Sequence, residues 1–542
     1  MTRTRSAGVS ALAALACAAL ALSGCTSGAA KPAASAGASS STASTDSAAT
    51  PSSGASTGAT AAAGATPLQP LPAAIPAALQ RYYSQKLSWH SCDQNYECTT
   101  FKVPLDYDHP TAGDISLSAV RKRATGQGVK RIGSLLINPG GPGGSAVDYA
   151  EYAALAFPPL LRAAYDIVGV DPRGVARSTP VTCLTDQQMD AFTAVDTTPD
   201  DNAEVNTLVA ADKNFAEGCA KHSGKLLGHV STVESARDMD IARALLGDAR
   251  LNYLGKSYGT FLGATYAGLF PSRVGRMVLD GAMNPALNAY QLNSQQAGGF
   301  EVAFQAFAAD CVKRQGCPLG TSTAEAGRKL DALFLSLDRK PLPTGQSRKL
   351  DEALGTTGVI AAMYDQSQWL ELRNALTQAV KGNGAGLLNL SDQYYERNND
   401  GSYSNLMYAN ASVNCLDLPP ASTSPAVVRE QLPAFRAASP HFGTTLAWAG
   451  LSCSSWPVKP TGAPHTIAAA GAAPIVVVGT TRDPATPYAW ARSLAAQLSS
   501  GVLLSYNGDG HTAFARGSDC IDQAVDDYLI QGKVPAKGKV CS

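Results

Sequence analysis

Leu251-Asn-Tyr-Leu-Gly-Lys-Ser257-Tyr-Gly-Thr-Phe-Leu-Gly263 is the stretch on which the fold of this chain turns. Leu251, Tyr253 and Leu254 form an apolar run, Gly255-Lys-Ser-Tyr-Gly259 interrupts it, and a helical pattern then covers 260–270 and stops at Pro271. That order predicts a strand, a sharp turn and a helix. Glycines two residues either side of Ser257 let strand and helix approach closely, so the serine can occupy a strained turn with its hydroxyl exposed. Ser257 is therefore the candidate nucleophile.

Working outward, the apolar runs 132–138, 165–170, 274–279, 474–479 and 502–506 read as strands buried on both faces. Helical stretches at 202–221 and 232–246 separate them, and 519–530 closes the chain. Strands alternating with helices predict a mostly parallel α/β sheet. A short helical patch at 77–86 precedes 101–105 and 115–123, which flank a turn at 106–113 and predict an opening antiparallel pair. From about 284 to about 472 the pattern is helical (291–313, 323–337, 368–380, 384–397) without a comparable buried strand. This predicts a helical cap inserted between two late strands.

Sites of α/β sheets lie in loops at the carboxyl ends of the strands. After 132–138 comes Pro139-Gly-Gly-Pro-Gly-Gly-Ser145, free of bulky side chains, where a backbone N–H can face a developing oxyanion. Gly141 is the expected first donor and Tyr258 the second. A phosphate-binding loop is the competing idea, but no Lys-Ser/Thr follows at the required spacing. Two late strands run into Asp483-Pro-Ala-Thr-Pro487 and Gly510-His511. Of the seven histidines (His90, His109, His222, His229, His441, His465, His511), only His511 follows a late strand in a glycine-rich loop. His511 would take the serine proton and Asp483 would orient the imidazole. Asp280 also ends a strand and is the rival acid; Asp509 is expected to shape the turn before His511. Asp171 and Arg173 are expected to brace loops around the site.

The set Asn138-Pro-Gly-Gly-Pro-Gly-Gly-Ser145, Asp171-Pro-Arg-Gly174, Gly255-Lys-Ser-Tyr-Gly-Thr260, Val278-Leu-Asp-Gly281, Asp483-Pro-Ala-Thr-Pro487 and Gly510-His511 resembles the actinobacterial tripeptidyl aminopeptidase group. This branch of the α/β-hydrolases is related to the proline iminopeptidases and includes secreted mycelial proteases and cell-envelope serine hydrolases. The resemblance covers roughly 87–542. It implies an α/β-hydrolase fold, with a mostly parallel eight-stranded sheet and a helical cap, and it implies Ser257, Asp483 and His511 as the triad. Pro139 departs from the iminopeptidases, whose glycine motif begins with His; that argues against single-proline removal. An aminopeptidase must hold a free α-ammonium, and a cap carboxylate is the natural partner. Asp417, beside Cys415, is the candidate, with an ordinary loop aspartate as the alternative. Tyr364 and Trp369 are candidates to line the pocket or to serve as core.

The chain has 542 residues with 43 basic and 43 acidic side chains, so no net field favours nucleic acid. Arg3 and Arg5, an apolar stretch over 9–22 and Leu22-Ser-Gly-Cys25 read as an export signal ending in a lipoprotein box, with Cys25 lipidated. An ordinary secretory signal with a chance cysteine is the alternative. The Ala/Ser/Thr/Gly-rich segment that follows cannot bury a core and reads as a tether. Setting aside Cys17 and Cys25 leaves Cys92, Cys98, Cys183, Cys219, Cys311, Cys317, Cys415, Cys453, Cys520 and Cys541. Their even count points to disulfides outside the cytoplasm. Sequential pairing is the simplest arrangement, but the sequence leaves connectivity open. No pair has the spacing of a zinc site, and no metal or other cofactor is expected.

The expected organisation is a signal peptide over 1–24, a tether over 25–66, hydrolase core over 67–284 and 473–542, and a cap over 285–472. The expected function is an exported, lipid-anchored serine exopeptidase that removes short peptides, tripeptides above all, from free amino termini through an acyl-enzyme. It is expected to act on peptide substrates as a monomer, touching the membrane only through its lipid. A carboxylesterase on acyl esters is one alternative, and a non-catalytic envelope binding lipoprotein is another.

Overall fold

The computed structural model describes residues 65–92 and 95–542. The expected signal segment, Cys17, Cys25 and the expected tether up to residue 64 lie outside the described residues. Twelve strands occur among the described residues: β1 (Thr66–Pro67), β2 (His90–Cys92), β3 (Tyr96–Pro104), β4 (Asp114–Lys122), β5 (Gly133–Asn138), β6 (Tyr165–Val170), β7 (Leu251–Lys256), β8 (Val274–Asp280), β9 (His465–Thr466), β10 (Ile475–Arg482), β11 (Gly501–Asp509) and β12 (Val540–Cys541). Ten of them form one sheet in the order β12-β11-β10-β8-β7-β5-β6-β4-β3-β2. Every neighbouring pair from β12 to β6 is parallel, and β4, β3 and β2 are added antiparallel at one edge. This is the α/β-hydrolase architecture.

The ten strands exceed the expected eight. Both edges are extended by short strands next to disulfides, β2 through Cys92–Cys98 and β12 through Cys520–Cys541. The five disulfides among the described residues each join consecutive cysteines, the others being Cys183–Cys219, Cys311–Cys317 and Cys415–Cys453.

Side chains alternate along each central strand, which explains the continuous apolar runs. Leu136, Tyr253, Leu279 and Val477 enter one core, while Leu135, Ile137, Leu254, Val278, Val476 and Val478 enter the core on the opposite face. Helices the sequence reading did not anticipate cover these faces: Ala146–Ala156, Pro159–Ala164, Asp186–Thr193 and Tyr488–Gln497.

Between β8 and β10 the chain leaves the sheet and forms eight α-helices among the described residues. Four overlap the expected cap helices: Ala289–Cys311, Thr323–Arg339, Trp369–Val380 and Ala385–Tyr394. Glu352–Met363, Leu406–Asp417, Pro425–Ala438 and Gly443–Ala449 were not expected, because Gly, Thr, Asn and Pro residues within them obscure the helical pattern. Phe300, Phe304, Phe307, Leu330 and Leu376 give the cap an apolar core of its own. The segment also contains β9, paired in parallel with β1. Thr66, placed at the end of the expected tether, therefore belongs to a strand pair, and the Leu68 and Leu71 amides continue the docking by donating to Thr466 and Leu269. No helix among the described residues is long and apolar enough to cross a membrane.

Candidate active site

Ser257 sits between β7 and the helix Tyr258–Leu269 at φ 55°, ψ −126°, a backbone conformation that residues with a side chain rarely adopt. Its neighbours show why glycine is needed. A Cβ on Gly255 would lie 2.3 Å from the Gly259 carbonyl oxygen, and one on Gly259 would lie 2.8 Å from that of Asn138. The turn is held by the Ser257 amide donating to the Asp280 carbonyl (2.9 Å) and by Thr260, whose amide and hydroxyl donate to the Ser257 carbonyl (2.8 and 2.6 Å).

The glycine loop after β5 passes directly over this turn. Gly140, at φ +100°, has no room for a Cβ, which would fall 2.8 Å from that of Ser257 and 2.6 Å from the Lys256 carbonyl oxygen. Its amide is taken by Asn138 Oδ1 (2.9 Å). The Gly141 amide, by contrast, donates to no described group, and the Tyr258 amide heads its helix, where no intrahelical acceptor exists. Both residues line a cavity with Ser257. From the cap, Asn410 Nδ2 donates to the Pro142 carbonyl (3.0 Å) and steadies the loop.

His511 Nδ1 lies 2.9 and 3.0 Å from the two oxygens of Asp483. That carboxylate also accepts the amides of Ala485 (3.0 Å), Thr486 (2.8 Å) and Thr512 (3.2 Å) and the Thr486 hydroxyl (3.0 Å). A carboxylate bound by this many donors has one orientation, and it fixes the ring that faces it. The His511 amide donates to the Tyr364 carbonyl (2.8 Å), and the Tyr364 ring stands edge-on to the imidazole at 5.4 Å. Nε2 is buried with no hydrogen-bond partner among the described residues.

The rival Asp280 has a different task. Its carboxylate accepts the amides of Ala513 and Phe514, so one residue braces the loop after His511 and, through its carbonyl, the Ser257 turn. Burial raises its pKa, partly offset by Lys256, whose Nζ stands 3.9 Å away. Burial in turn pushes Lys256 down to about 8. Asp509 is clamped by Arg482 through two bonds (2.6 and 3.0 Å). Asp171 accepts the Ser145 hydroxyl and the Val147 amide, and the fully buried Arg173 grips Asp238 and the carbonyls of Pro104, Leu105 and His229. These are bracing contacts at the carboxyl ends of the strands.

The cavity that contains Ser257, Gly141 and Tyr258 has a volume of about 370 Å³, and Asp417 lies in its lining. Asp417 ends the cap helix Leu406–Asp417 and is only 8% exposed. Its oxygens accept the Thr232 amide (2.8 Å) and hydroxyl (2.5 Å), and the Thr232 hydroxyl meets that of Tyr258 at 2.6 Å. Burial pushes the carboxyl up to about 7; the Thr232 hydrogen bonds oppose this, and no cation among the described residues does. Tyr364 lines the cavity, whereas Trp369 packs on Phe307 within the cap core.

Three contributors escaped the sequence reading: Thr232, Thr486 and Asn410. Only Thr486 had a local signal, as the third residue after Asp483 in a turn whose amides fold back on the carboxylate. Two overlapping carboxylate groups have the spacing to hold a cation, Asp196/Glu204/Asp338 and Asp200/Asp201/Glu204, and none of their members lines the cavity of Ser257.

A family model described as "TAP-like protein" matches residues 439–541, the segment that carries Asp483 and His511. The chain is 40% identical over 456 residues to "Serine protease Hip1" of Mycobacterium tuberculosis, covering 82% of this chain and 87% of that one. "Carboxylesterase B" of Mycobacterium tuberculosis is 39% identical over 473 residues, covering 84% and 90%. "Tripeptidyl aminopeptidase" of Streptomyces lividans is 32% identical over 498 residues, covering 87% and 89%.

Proposed function

The chain belongs to the tripeptidyl aminopeptidase-like serine hydrolases of the α/β-hydrolase fold, and from that premise we propose that it removes tripeptides from free amino termini through an acyl-enzyme on Ser257. In this reading His511 Nε2 takes the Ser257 hydroxyl proton as Oγ attacks the scissile carbonyl. The Gly141 and Tyr258 amides hold the resulting oxyanion. Nε2 then protonates the leaving amine, and water, activated by the same nitrogen, releases the acyl fragment. Asp483 keeps the ring in place and stabilises its protonated form.

The observation that carries the peptidase reading is the presence of Asp417 in the cavity of Ser257. It is a buried carboxylate with hydroxyl and amide partners but no cation, and each of its oxygens has capacity for a further hydrogen bond. A substrate α-ammonium would supply the missing charge. The test compares a tripeptide chromogenic amide with a free amino terminus, the same amide acetylated, and a short-chain nitrophenyl ester, beside Ser257→Ala. Efficient cleavage of the free-amino amide alone, abolished in Ser257→Ala, is the expected result. Turnover of the ester alone would instead favour the esterase reading, which the relative named as a carboxylesterase supports.

The five disulfides support an oxidising compartment outside the cytoplasm. With the signal-like start, they support an exported enzyme held by lipid on Cys25; metabolic labelling that fails to place an acyl group there would remove the anchor.

A further inference from the structure

Resting on the acyl-transfer reading above, we propose that a second cavity, lined by His511 but not by Ser257, is the subsite for the leaving fragment. It takes an aromatic or apolar amino acid whose carboxylate is met by Arg516.

This cavity has a volume of about 210 Å³, and Tyr149, Tyr152, Tyr364, Lys256, His511 and Arg516 form much of its wall. Tyr364, whose ring stands edge-on to the imidazole, is part of the wall of both this cavity and the Ser257 cavity. The chemistry then assigns the sides. The acyl group is bonded to Ser257 and its oxygen faces Gly141 and Tyr258, all in the cavity that also contains Asp417. The leaving nitrogen takes its proton from His511, so the fragment it belongs to must lie against the imidazole. A cavity bounded by His511 and lacking Ser257 meets that requirement.

The walls point to the ligand class. Tyr149, Tyr152, Phe157 and Tyr364 offer ring surface, and Tyr152 is 60% exposed. The Tyr149 hydroxyl is buried without a hydrogen-bond partner among the described residues, an arrangement that a polar ligand atom or water resolves. Both cations in the wall have their counter-charges outside it: Arg516 pairs with Asp365 at 2.6 Å, and Lys256 stands 3.9 Å from Asp280. Lys256 Nζ is also occupied by the Phe514 carbonyl at 2.6 Å. Arg516 uses its guanidinium on Asp365 and the Tyr364 carbonyl, which leaves donors of its planar fork for a carboxylate. The wall therefore combines apolar rings with a guanidinium that keeps donors free beside its ion pair.

Trapping of the acyl-enzyme tests this directly. An added amine attacks the ester carbonyl carbon of acylated Ser257. A C–N bond forms, the C–Oγ bond breaks, and the amine proton passes through His511 Nε2 to Ser257 Oγ, giving a longer peptide and free enzyme. The full chain is acylated with the tripeptide chromogenic amide in the presence of phenylalanine, phenylalaninamide or glycine. Hydrolysis and aminolysis products are counted by mass spectrometry per free-base amine. Phenylalanine should trap the acyl group roughly tenfold better than phenylalaninamide, the worth of one charge-assisted contact, and better than glycine. Arg516→Gln should bring the phenylalanine to phenylalaninamide ratio close to one, and Arg516→Lys should restore part of it. Asp365→Asn, which removes the present ion-pair partner but keeps the cation, should maintain or raise it.

A wild-type ratio near one, or a ratio unmoved by Arg516→Gln, overturns the carboxylate contact, and equal trapping by glycine overturns the apolar wall. Because each ratio is taken within one variant, a general loss of activity does not move it. Hydrolysis that persists in Ser257→Ala, with no aminolysis product from any amine, would sink the acyl-transfer reading itself, and this proposal with it.

Discussion

Replacing Asp417 by Asn removes one charge from the wall of the Ser257 cavity with little change of shape. The amide oxygen can still accept from the Thr232 amide, and its NH2 can donate to the Thr232 hydroxyl, which turns toward Tyr258. An ammonium about 4 Å from the carboxylate, at an effective dielectric constant of about 20, is attracted by about 4 kcal/mol. Desolvation of both groups takes back part of this, and hydrogen bonds to charged groups typically retain about 1.5 to 3 kcal/mol. The variant should therefore lose roughly 10- to 100-fold in kcat/KM on the free-amino tripeptide amide. It should lose little on the acetylated one, so the ratio of the two substrates is the readout. The pH profile of that ratio carries a sign. Burial raises the Asp417 carboxyl to about 7, so in the free enzyme it is neutral below that pH and charged above it. The preference for a free amino group should rise as pH climbs through about 7, then fall as the substrate ammonium deprotonates near ~8. In Asp417→Asn only the fall should remain. A ratio unchanged by the substitution, or a wild-type ratio flat across this range, would refute the role of Asp417.

Gly140→Ala should cost on the order of 100- to 1000-fold in kcat, the worth of an oxyanion donor, because the added methyl displaces the loop carrying Gly141 from Ser257; unchanged steady-state kinetics would contradict that geometry. The Cys415–Cys453 bridge ties the helix ending in Asp417 across a sequence separation of 38, for which loop entropy gives about 4 kcal/mol. The double Ala variant should show a lower unfolding temperature and a weakened free-amino preference, and calorimetry with the two amides checks both. Asp212, on the helix Asn202–Leu227, is pushed up to about 7 by burial alone. Its folded-state pKa lies above its unfolded value near ~4, so the stability of the neutral acid is complete below about 4 and is lost as pH rises through about 7. Asp212→Asn should accordingly stabilise the protein on the order of 4 kcal/mol at pH ~8 and little at pH ~4; equal effects at both pH values in denaturant titrations would count against it.

What the sequence by itself determined is local. The turn at Ser257 was legible because its requirement is steric and confined to a few residues, where glycines leave room for backbone to meet backbone. The central strands were legible because burial on both faces demands continuous apolar runs, and His511 because it follows such a strand. Local patterns failed in the cap, where the helix Leu406–Asp417 is rich in Asn and Ser, which favour non-helical conformations. They also left Asp280 as a rival to the favoured Asp483, since both end strands. Tertiary structure separated them by directing one carboxylate to the imidazole and the other to two backbone amides beyond it. It alone brought Asp417 to Thr232, 185 positions away, and carried both to the cavity wall beside Tyr258. A charge acquires its role from what surrounds it once water is removed, and those surroundings come from distant parts of the chain.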